Sequence, residues 1–496
     1  MKKFPKYGQR LTSVGRKWHG ARFEDDPHFD YKNHVHVTQL PEPGGKHQLE
    51  TLMGEFIAQD WDLSKPLWEM LIVENYEDED GAECALIVRG HHTLADGQGF
   101  VISQLYMTSY HDELVNMMSS SAEAVSAAET GTVTPSSVHP LLKPLDRLSE
   151  PSNVLIAPLV QLFLASVFWI SYALTLAVSF GYSTYHLVLD VFLCACTAWR
   201  VEMLTAPQPH GAARTKLKEF ASSASMSMQD VRTCQKAFSG RRMGAEKDGK
   251  HRRGHVTVND VMCAVMADVL GDEIRSKPVD FTLWGRVKRA LAKVLPSPIG
   301  FFIPISIRSP GDWSMRNLST GWLVYLYPSP PSNLPAPSVP TLHQHIHTCR
   351  TALTSLKHSL WPRIFFYIIQ ATGQVPVLYF GLTSVNALKK RVIGPIVDAS
   401  LRSFPVILTN VPGPAKKPVT LEGMQVVRWT ALPPQGGKGT VGMGLISYAG
   451  SMCISVAADR VPASAGVARR LCERFEERFR EYVRAAEQVL DEVKGE

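Results

Sequence analysis

The sequence predicts an α/β protein with more than one domain. A chain of 496 residues is too long for one ordinary hydrophobic core. Strand-like and helix-like patterns occur in both halves, and the composition of 45% apolar and 20% charged residues is typical of ordered globular proteins. The strand-like runs are ALIVR (85–89), FFIPISIR (301–308), FPVILTN (404–410), GMGLISYAG (442–450) and MCISVAA (452–458).

Helical periodicity is clearest at 259–275 (NDVMCAVMADVLGDEIR) and in the C-terminal stretch. Along that stretch apolar side chains recur every three or four positions, with Arg and Glu between them. They are Val467, Leu471, Phe475, Phe479, Val483, Ala486 and Leu490. A single apolar stripe of this kind predicts a helix that docks on the rest of the protein and carries no chemistry.

A long apolar segment lies near the middle of the chain. Residues 154–185 contain no charged side chain, and the segment continues to Ala198 interrupted only by His186 and Asp190. About 20 apolar residues are enough for a helix to span a bilayer. Gly181-Tyr182-Ser183 could turn the chain into a hairpin, and basic residues on both flanks suit a hairpin with both ends in the cytosol. The alternative is a buried or interfacial helix pair packed on the protein.

These patterns divide the chain into four parts. Residues 1–118 form an N-terminal lobe, and residues 119–153, rich in Ser, Ala and Thr, form a flexible linker. The apolar, membrane-associated segment takes residues 154–200. Residues 201–496 form a second, C-terminal lobe.

Charge and cysteine usage narrow the class of protein. The net charge of +6 is modest for this length, so we expect no nucleic-acid partner. The eight cysteines form no CxxC pair. Scattered cysteines of this kind indicate reduced, buried thiols in a protein that faces the cytosol. The N-terminus (MKKFPKYGQR) has charges but no apolar core behind them, so it does not indicate a secretory signal.

The segment RGHHTLADGQGF (89–100) carries the most specific chemistry. A shared metal ion is unfavourable, because His91 and His92 point in opposite directions if the backbone is extended. A strand ending just before them would instead deliver one histidine into a cleft and turn the other inward, with Asp96 and Gly97 closing the loop. Imidazole is the side chain best suited to take a proton from a hydroxyl at neutral pH.

Other candidate sites are less convincing. HQHIH (343–347) places His343 and His347 one helical turn apart, so a zinc site is conceivable, but no further ligand follows at a telling spacing. No metal site is therefore expected. GKGTVG (437–442) follows two prolines where a dinucleotide site needs a strand. The absence of GxSxG removes the nucleophile-elbow hydrolases.

HHTLADG resembles the HHxxxDG motif of the wax ester synthase/diacylglycerol acyltransferase family, which belongs to a larger superfamily of coenzyme-A-dependent acyltransferases and condensation domains. Further blocks follow in the family's order: WDLSKPLWEMLIVE (61–74), HGAARTKLKEFASS (210–223), TVNDVMCAV (257–265), PISIR (304–308), TNVPGP (409–414) and GLISYAGSMCISVAADR (444–460). The resemblance covers nearly the whole chain. It begins at FPKYGQRL (4–11), whereas family members usually have an additional strand and helix before that point, so we expect an incomplete gene product or a differently built N-terminal part.

The resemblance implies a fold of two chloramphenicol-acetyltransferase-like α/β lobes with a central tunnel, here joined by an apolar helical insert. It implies that His92 is the general base in that tunnel and that His91 supports it. The acceptor hydroxyl would attack the acyl-CoA thioester directly, with no acyl-enzyme and no bound cofactor. Backbone N–H groups near Gly97 would stabilise the oxyanion.

In the wider superfamily the aspartate of the motif pairs with an arginine, which implies an ion pair between Asp96 and Arg308 across the lobe junction. The competing interpretation makes Asp96 the residue that orients His92 in a catalytic dyad. Resemblance further implies that Asn259 and Asp260 shape the cleft from the other lobe and that Asn410 lies in a substrate-binding or structural block.

The resemblance implies acyl-CoA as donor, with diacylglycerol, a long-chain alcohol or both as acceptor. Contact with membrane lipid is expected, at the endoplasmic reticulum or plasma membrane, with the catalytic lobes in the cytosol. Two alternatives remain open. One is a condensing or small-alcohol acyltransferase, which would not need the apolar segment, and the other is a catalytically impaired lipid-binding homologue.

Overall fold

The computed structural model describes most of the chain and shows two α/β lobes. The described residues are 3–13, 21–78, 80–129, 156–197, 204–205, 217–239, 255–309, 312–329, 338–374, 404–414, 417–435 and 439–495. Parts of three predicted segments lie outside them: most of the linker (130–153), the two ends of the apolar segment (154–155 and 198–200), and residues 210–216 of one family-like block.

The N-terminal lobe contains a three-stranded sheet. The elements of the first part of the chain are β1 (Gln9–Thr12), β2 (Arg22–Asp25), β3 (Val35–Thr38), α1 (Lys46–Ala58), β4 (Trp68–Val73), β5 (Ala85–Gly90), α2 (Gly97–Leu105), α3 (His111–Glu129) and α4 (Ala157–Thr197). The sheet order is β3-β4-β5, with β3 parallel and β5 antiparallel to β4, while β1 and β2 pair with each other. The paired histidines therefore lie directly after the last residue of β5, at the end of this sheet.

A seven-stranded sheet organises the C-terminal lobe. Its elements are β6 (Lys218–Ser222), β7 (Met226–Ser227), α5 (Met228–Phe238), α6 (Val258–Arg275), α7 (Leu283–Ala292), β8 (Ile299–Ser306), β9 (Ser319–Leu326), α8 (Val339–His358), α9 (Trp361–Gln374), β10 (Val406–Pro412), β11 (Thr420–Leu421), β12 (Met424–Gln425), β13 (Val441–Tyr448), β14 (Ser451–Asp459) and α10 (Val467–Gly495). The order is β6-β14-β13-β10-β8-β9, and β7 pairs with β14. Strand β10 runs parallel to both β8 and β13, so its end and that of β8 share one edge.

Helix α6 lies at the centre of the larger core. Its residues are buried on all sides, because the sheet packs against one face and other helices cover the rest. A capping box starts it: the Thr257 hydroxyl accepts the N–H of Asp260, and the Asp260 carboxylate accepts the N–H of Thr257. The helix predicted at 259–275 is confirmed.

The other predicted elements of this lobe are also present. The four strand-like runs correspond to β8, β10, β13 and β14. In α10 the first four positions of the predicted stripe, from Val467 to Phe479, are almost fully buried. Their burial against the sheet confirms a docking helix.

Helix α4 corrects the predicted hairpin. The apolar segment is one continuous helix of 41 residues that passes through Gly181 without a turn. A single glycine costs a helix interior only about 1 kcal/mol, and no proline interrupts the segment after its first turn. Among the described residues it is the one helix long and apolar enough to cross a membrane, by length and composition.

Two further expectations need correction. Helix α3 continues to Glu129, so the linker predicted from residue 119 is helical at its start. Alanine and glutamate, both strong helix formers, are interspersed with the serines there, and their propensity outweighs that of serine. All eight cysteines are free thiols, but Cys84 is exposed while the others are buried or half-buried.

Candidate active site

The paired histidines follow directly on strand β5. The N–H of His91 donates to the carbonyl of Leu67 at 2.9 Å, which extends the strand pairing by one residue. The chain then turns, and Asp96 caps helix α2 by accepting the N–H of Gly99 at 2.9 Å. Gly90 allows this turn, since a Cβ there would collide with the ring of Phe100.

Both histidines line a cavity of about 2270 Å³ whose walls come from both lobes. Burial lowers the pKa of His92 below its ordinary value of 6.5, against the opposing effect of the Asp96 carboxylate. Burial, followed by the neighbouring His92, also lowers the pKa of His91. Both imidazoles are therefore largely neutral at pH 7, the state in which a ring nitrogen can accept a proton.

The ring of His92 is held on one side. Its Nδ1 atom lies 2.8 Å from Nδ2 of Asn317, and the same amide nitrogen donates to the backbone carbonyl of His92 at 3.3 Å. An amide nitrogen only donates, so in this orientation of Asn317 the Nδ1 atom of His92 is the acceptor. Among the described residues Nε2 has no hydrogen-bond partner. Asn317 therefore holds the ring through Nδ1 and leaves Nε2 without a contact in this part of the chain.

His91 has different surroundings. Its Nδ1 atom lies 2.9 Å from the hydroxyl of Thr93, and its ring meets Trp61 edge-on, with the ring centroids 6.0 Å apart. It lines the same cavity but is held by local partners from its own lobe. The two rings are therefore anchored separately, but both line the cavity, which corrects the prediction that one of them turns inward.

The predicted ion pair between Asp96 and Arg308 is present. Nη2 of Arg308 donates to Oδ1 of Asp96 at 2.8 Å and Nε donates to Oδ2 at 3.2 Å. Both side chains are only 4% exposed. The N–H of Leu318 donates to Oδ2 as well, at 2.9 Å. Among the described residues no hydrogen bond joins Asp96 to the His92 ring, so the dyad interpretation does not fit this geometry.

Arg308 also organises the loop that follows strand β8. Its remaining N–H groups donate to the backbone carbonyls of Asp312, Ser314 and Arg316. Because a guanidinium has five donors, every one of them is used. The same arginine thus fixes the histidine loop from one lobe and, from the other, the loop that presents Asn317.

The other predicted site residues differ in whether they line the cavity. Nδ2 of Asn410 donates to Oδ1 of Asn259 at 2.6 Å, and Asn410 lines the cavity. Neither Asn259 nor Asp260 lines it, so the prediction that both shape the cleft is wrong, and the Asp260 carboxylate caps helix α6 instead. Gly97 lines the cavity at the start of α2, where the first N–H groups of a helix have no partner within the helix.

The histidines of HQHIH have no third metal-ligating side chain grouped with them among the described residues. His343 and His347 lie beside each other, with ring centroids 4.5 Å apart, but the described residues contain no group of three ligands that could hold a metal ion. The middle residue, His345, is buried instead. Its Nε2 lies 2.7 Å from the Tyr327 carbonyl and its Nδ1 lies 2.9 Å from the Tyr482 hydroxyl, which makes it part of the core.

Asn317 is the site residue that sequence reasoning missed. It lies in a loop with no periodicity and belongs to none of the recognised blocks. The only signal was its position shortly after Arg308, in a loop whose carbonyls surround the guanidinium. Its amide carbonyl accepts the Ser319 hydroxyl at 3.0 Å in addition to the contact with His92.

Comparison with known families supplies the decisive observation. Residues 1–149 match the family model described as the wax ester synthase/diacylglycerol acyltransferase catalytic domain. Residues 332–482 match the model of the C-terminal domain of the same family. The two matches together take in more than half of the chain. The chain belongs to the wax ester synthase/diacylglycerol acyltransferase family.

Curated relatives agree with this family. A Mycobacterium tuberculosis protein named as a diacylglycerol O-acyltransferase is 21% identical over 501 residues, which is 96% of this chain and 80% of that protein. A second one from the same species is 35% identical over 92 residues, or 18% of this chain. In the matches at 35% identity, the chain spans about a fifth (19%) of the length of the relative.

The fold agrees as well. The solved structure of the wax ester synthase/diacylglycerol acyltransferase from Marinobacter aquaeolei VT8 matches with a TM-score of 0.51 and 17% identity, covering 97% of this chain and 86% of that one. At this identity the likeness shows the shared fold alone. The predicted two-lobed α/β class is therefore confirmed for this member of the wax ester synthase/diacylglycerol acyltransferase family.

Proposed function

We propose that this acyltransferase moves a fatty acyl group from acyl-CoA to the hydroxyl of diacylglycerol, a long-chain alcohol, or both. One observation carries the proposal: His92 is a neutral imidazole, held on its Nδ1 side, in a cavity that both lobes line. Such a group can remove the proton of a hydroxyl. Family membership supports thioester chemistry at this place.

In the proposed reaction the acceptor hydroxyl gives its proton to Nε2 of His92 while its oxygen attacks the thioester carbonyl. The tetrahedral oxyanion that forms faces the free N–H groups of the first turn of α2, at Gly97 and Gln98, whose helix dipole favours negative charge. Collapse breaks the carbon–sulfur bond, and the CoA thiolate takes the proton back from His92. His91 supports the loop, and no covalent acyl-enzyme forms.

Asn317 has a defined role in this proposal. For Nε2 to act as the base, the amide oxygen of Asn317 must face Nδ1, which reverses the orientation described above, where Nδ2 faces Nδ1 and Oδ1 accepts the Ser319 hydroxyl. With the amide rotated by half a turn, its oxygen accepts the Nδ1 proton and its nitrogen faces the Ser319 hydroxyl. Asn317 therefore keeps the base in its reactive tautomer.

Labelled acyl-CoA offered with either diacylglycerol or hexadecanol tests the function. We expect labelled triacylglycerol, wax ester or both from the purified protein in membranes. Transfer only to small, water-soluble alcohols would favour the condensing or small-alcohol alternative. Tight lipid binding without any ester would favour an impaired lipid-binding homologue.

The rate of ester formation is expected to fall in acid with a midpoint below pH 6.5. Only neutral His92 can accept a proton, and its pKa is lowered, so the active form predominates at pH 7 and is lost as pH falls through the lowered pKa. Initial rates between pH 5 and 8 measure this. The His91→Gln variant should keep the same midpoint, and a midpoint above 6.5 would contradict the assignment.

Helix α4 is proposed to hold the protein in the membrane, with the lobes on the cytosolic face of the endoplasmic reticulum or plasma membrane. Its apolar side chains are exposed along most of its length, with Leu159, Trp169 and Val178 at 69%, 63% and 71%. Burying them in lipid removes this apolar surface from water.

Alkaline carbonate is therefore expected to leave the full-length chain in the membrane pellet. Such extraction releases proteins held by charge but not those held by apolar spans. Deleting residues 157–182 should shift the protein to the supernatant if it still folds. Complete release of the full-length chain would exclude a spanning helix.

A further inference from the structure

Helix α4 has two halves with different surroundings. The C-terminal half docks on the protein: Oδ2 of Asp190 accepts the indole N–H of Trp322 at 2.8 Å, and the Ser183 hydroxyl accepts the N–H of Leu360 at 3.0 Å. Residues 157–182 before it contain no charged residue. At about 1.5 Å per residue they extend roughly 39 Å, which exceeds the apolar thickness of a bilayer. The bilayer surface would then lie near Ser183.

The part of α4 near Ser183 lies next to the start of strand β9, the end of that strand nearest Asn317. The strand begins two residues after Asn317, and the Thr320 hydroxyl donates to the Pro362 carbonyl at 3.1 Å. Trp361, the first residue of α9, has its ring 6.2 Å from that of Phe180 on α4. The start of α9 lies beside the loop that holds His92, and with α4 in a bilayer it would also lie at the bilayer surface.

Helix α9 separates the cavity from this surface. Phe365, Phe366 and Gln370 line the cavity, and the Phe365 ring meets Trp322 edge-on at 6.2 Å. Tyr367 and Ile368 do not line it, and they are 65% and 49% exposed. One helix thus contacts the active-site cavity on one face and presents apolar side chains outside on another.

We propose that a neutral lipid acceptor passes from the bilayer into the cavity along α9, between α4 and the start of β9. This inference rests on the proposed acyltransferase function. A long-chain acceptor with a hydroxyl head dissolves in bilayers rather than in water, so a route lined by apolar side chains from α4 to Phe365 avoids exposing its chains. The hydroxyl then reaches the end of the cavity where Asn317 and His92 lie.

An acceptor comparison tests the route. The full-length protein in phosphatidylcholine vesicles would be given labelled acyl-CoA with dioleoylglycerol dissolved in the bilayer or with water-dispersed dihexanoylglycerol. For Ile368→Lys, with Ile368→Leu as control, the ratio of the bilayer rate to the water rate should fall about tenfold or more, because a charge in the apolar zone is unfavourable. An unchanged ratio would overturn the route.

A second readout does not depend on catalysis. A photoreactive benzoylphenylalanine would replace Tyr367 and, as a control, Tyr31, which is 58% exposed in the N-terminal lobe. Labelled diacylglycerol in the vesicles should crosslink at position 367 and not at 31, and absence at 367 or equal labelling would overturn the route. If the protein acylates neither acceptor but crosslinks at 367, the proposed function fails while the route stands.

Discussion

Replacing His92 with alanine is expected to reduce ester formation about 10²–10⁴-fold, because removing a positioned general base has an effect of this size. The fold should survive, since the imidazole faces the cavity and its contact is with the side chain of Asn317 rather than with the core. Initial rates with saturating acyl-CoA and acceptor measure the loss. Circular dichroism and membrane recovery check that the protein is intact.

Two neighbouring variants make this result specific. His91→Ala should lose less activity, because the His91 ring is held by Thr93 and Trp61 and is proposed only to support the loop. Asn317→Ala should lower the rate constant of the chemical step without a matching change in KM for acyl-CoA. If His91→Ala lost more activity than His92→Ala, the roles of the two histidines would be reversed.

Breaking the ion pair between Asp96 and Arg308 is expected to destabilise the protein by about 3–5 kcal/mol, since either change leaves a buried charge without its partner. Asp96→Asn and Arg308→Met should each lower the yield of folded protein and the midpoint of thermal unfolding. The effect should be large because both side chains are 4% exposed and the guanidinium also binds three carbonyls.

The double variant Asp96→Asn/Arg308→Met should recover part of the loss, because neither charge is then left alone. Arg316→Met is a matched control from the same loop. Its side chain is 64% exposed and pairs with Asp312, so its loss should stay below about 1 kcal/mol. Equal losses for Arg308→Met and Arg316→Met, or an additive double variant, would show that the buried pair has no special role.

Much of this architecture could be predicted from local pattern. Strands β5 and β8 are apolar runs with clear ends. The cap of α6 and the periodicity of α6 and α10 can be recognised from residues that are close together in the sequence. The ion pair between Asp96 and Arg308 could be predicted because each partner belongs to a recognisable motif. Local patterns predicted the positions of these helices and strands. Resemblance to the family's motifs predicted the pairing of Asp96 with Arg308 across the lobes.

Contacts between distant, irregular segments could not be predicted in this way. Asn317 reaches His92 only because Arg308 holds the intervening loop, and no spacing in the sequence reports that geometry. The spacing of His343 and His347 suggested a zinc site, yet His345 between them contacts Tyr327 and, from a distant part of the chain, Tyr482. The hairpin at Gly181 was wrong because a turn signal was weighed without the strong helical preference of the surrounding apolar residues.

A single-turnover measurement distinguishes direct acyl transfer at His92 from transfer through an acyl-enzyme. Purified protein in vesicles would be mixed with radiolabelled palmitoyl-CoA, first without and then with dioleoylglycerol or hexadecanol. Direct transfer predicts no label on the protein without acceptor, and with acceptor one labelled ester for each CoA released. Label retained covalently on the protein, or CoA released at the same rate without acceptor, would contradict it.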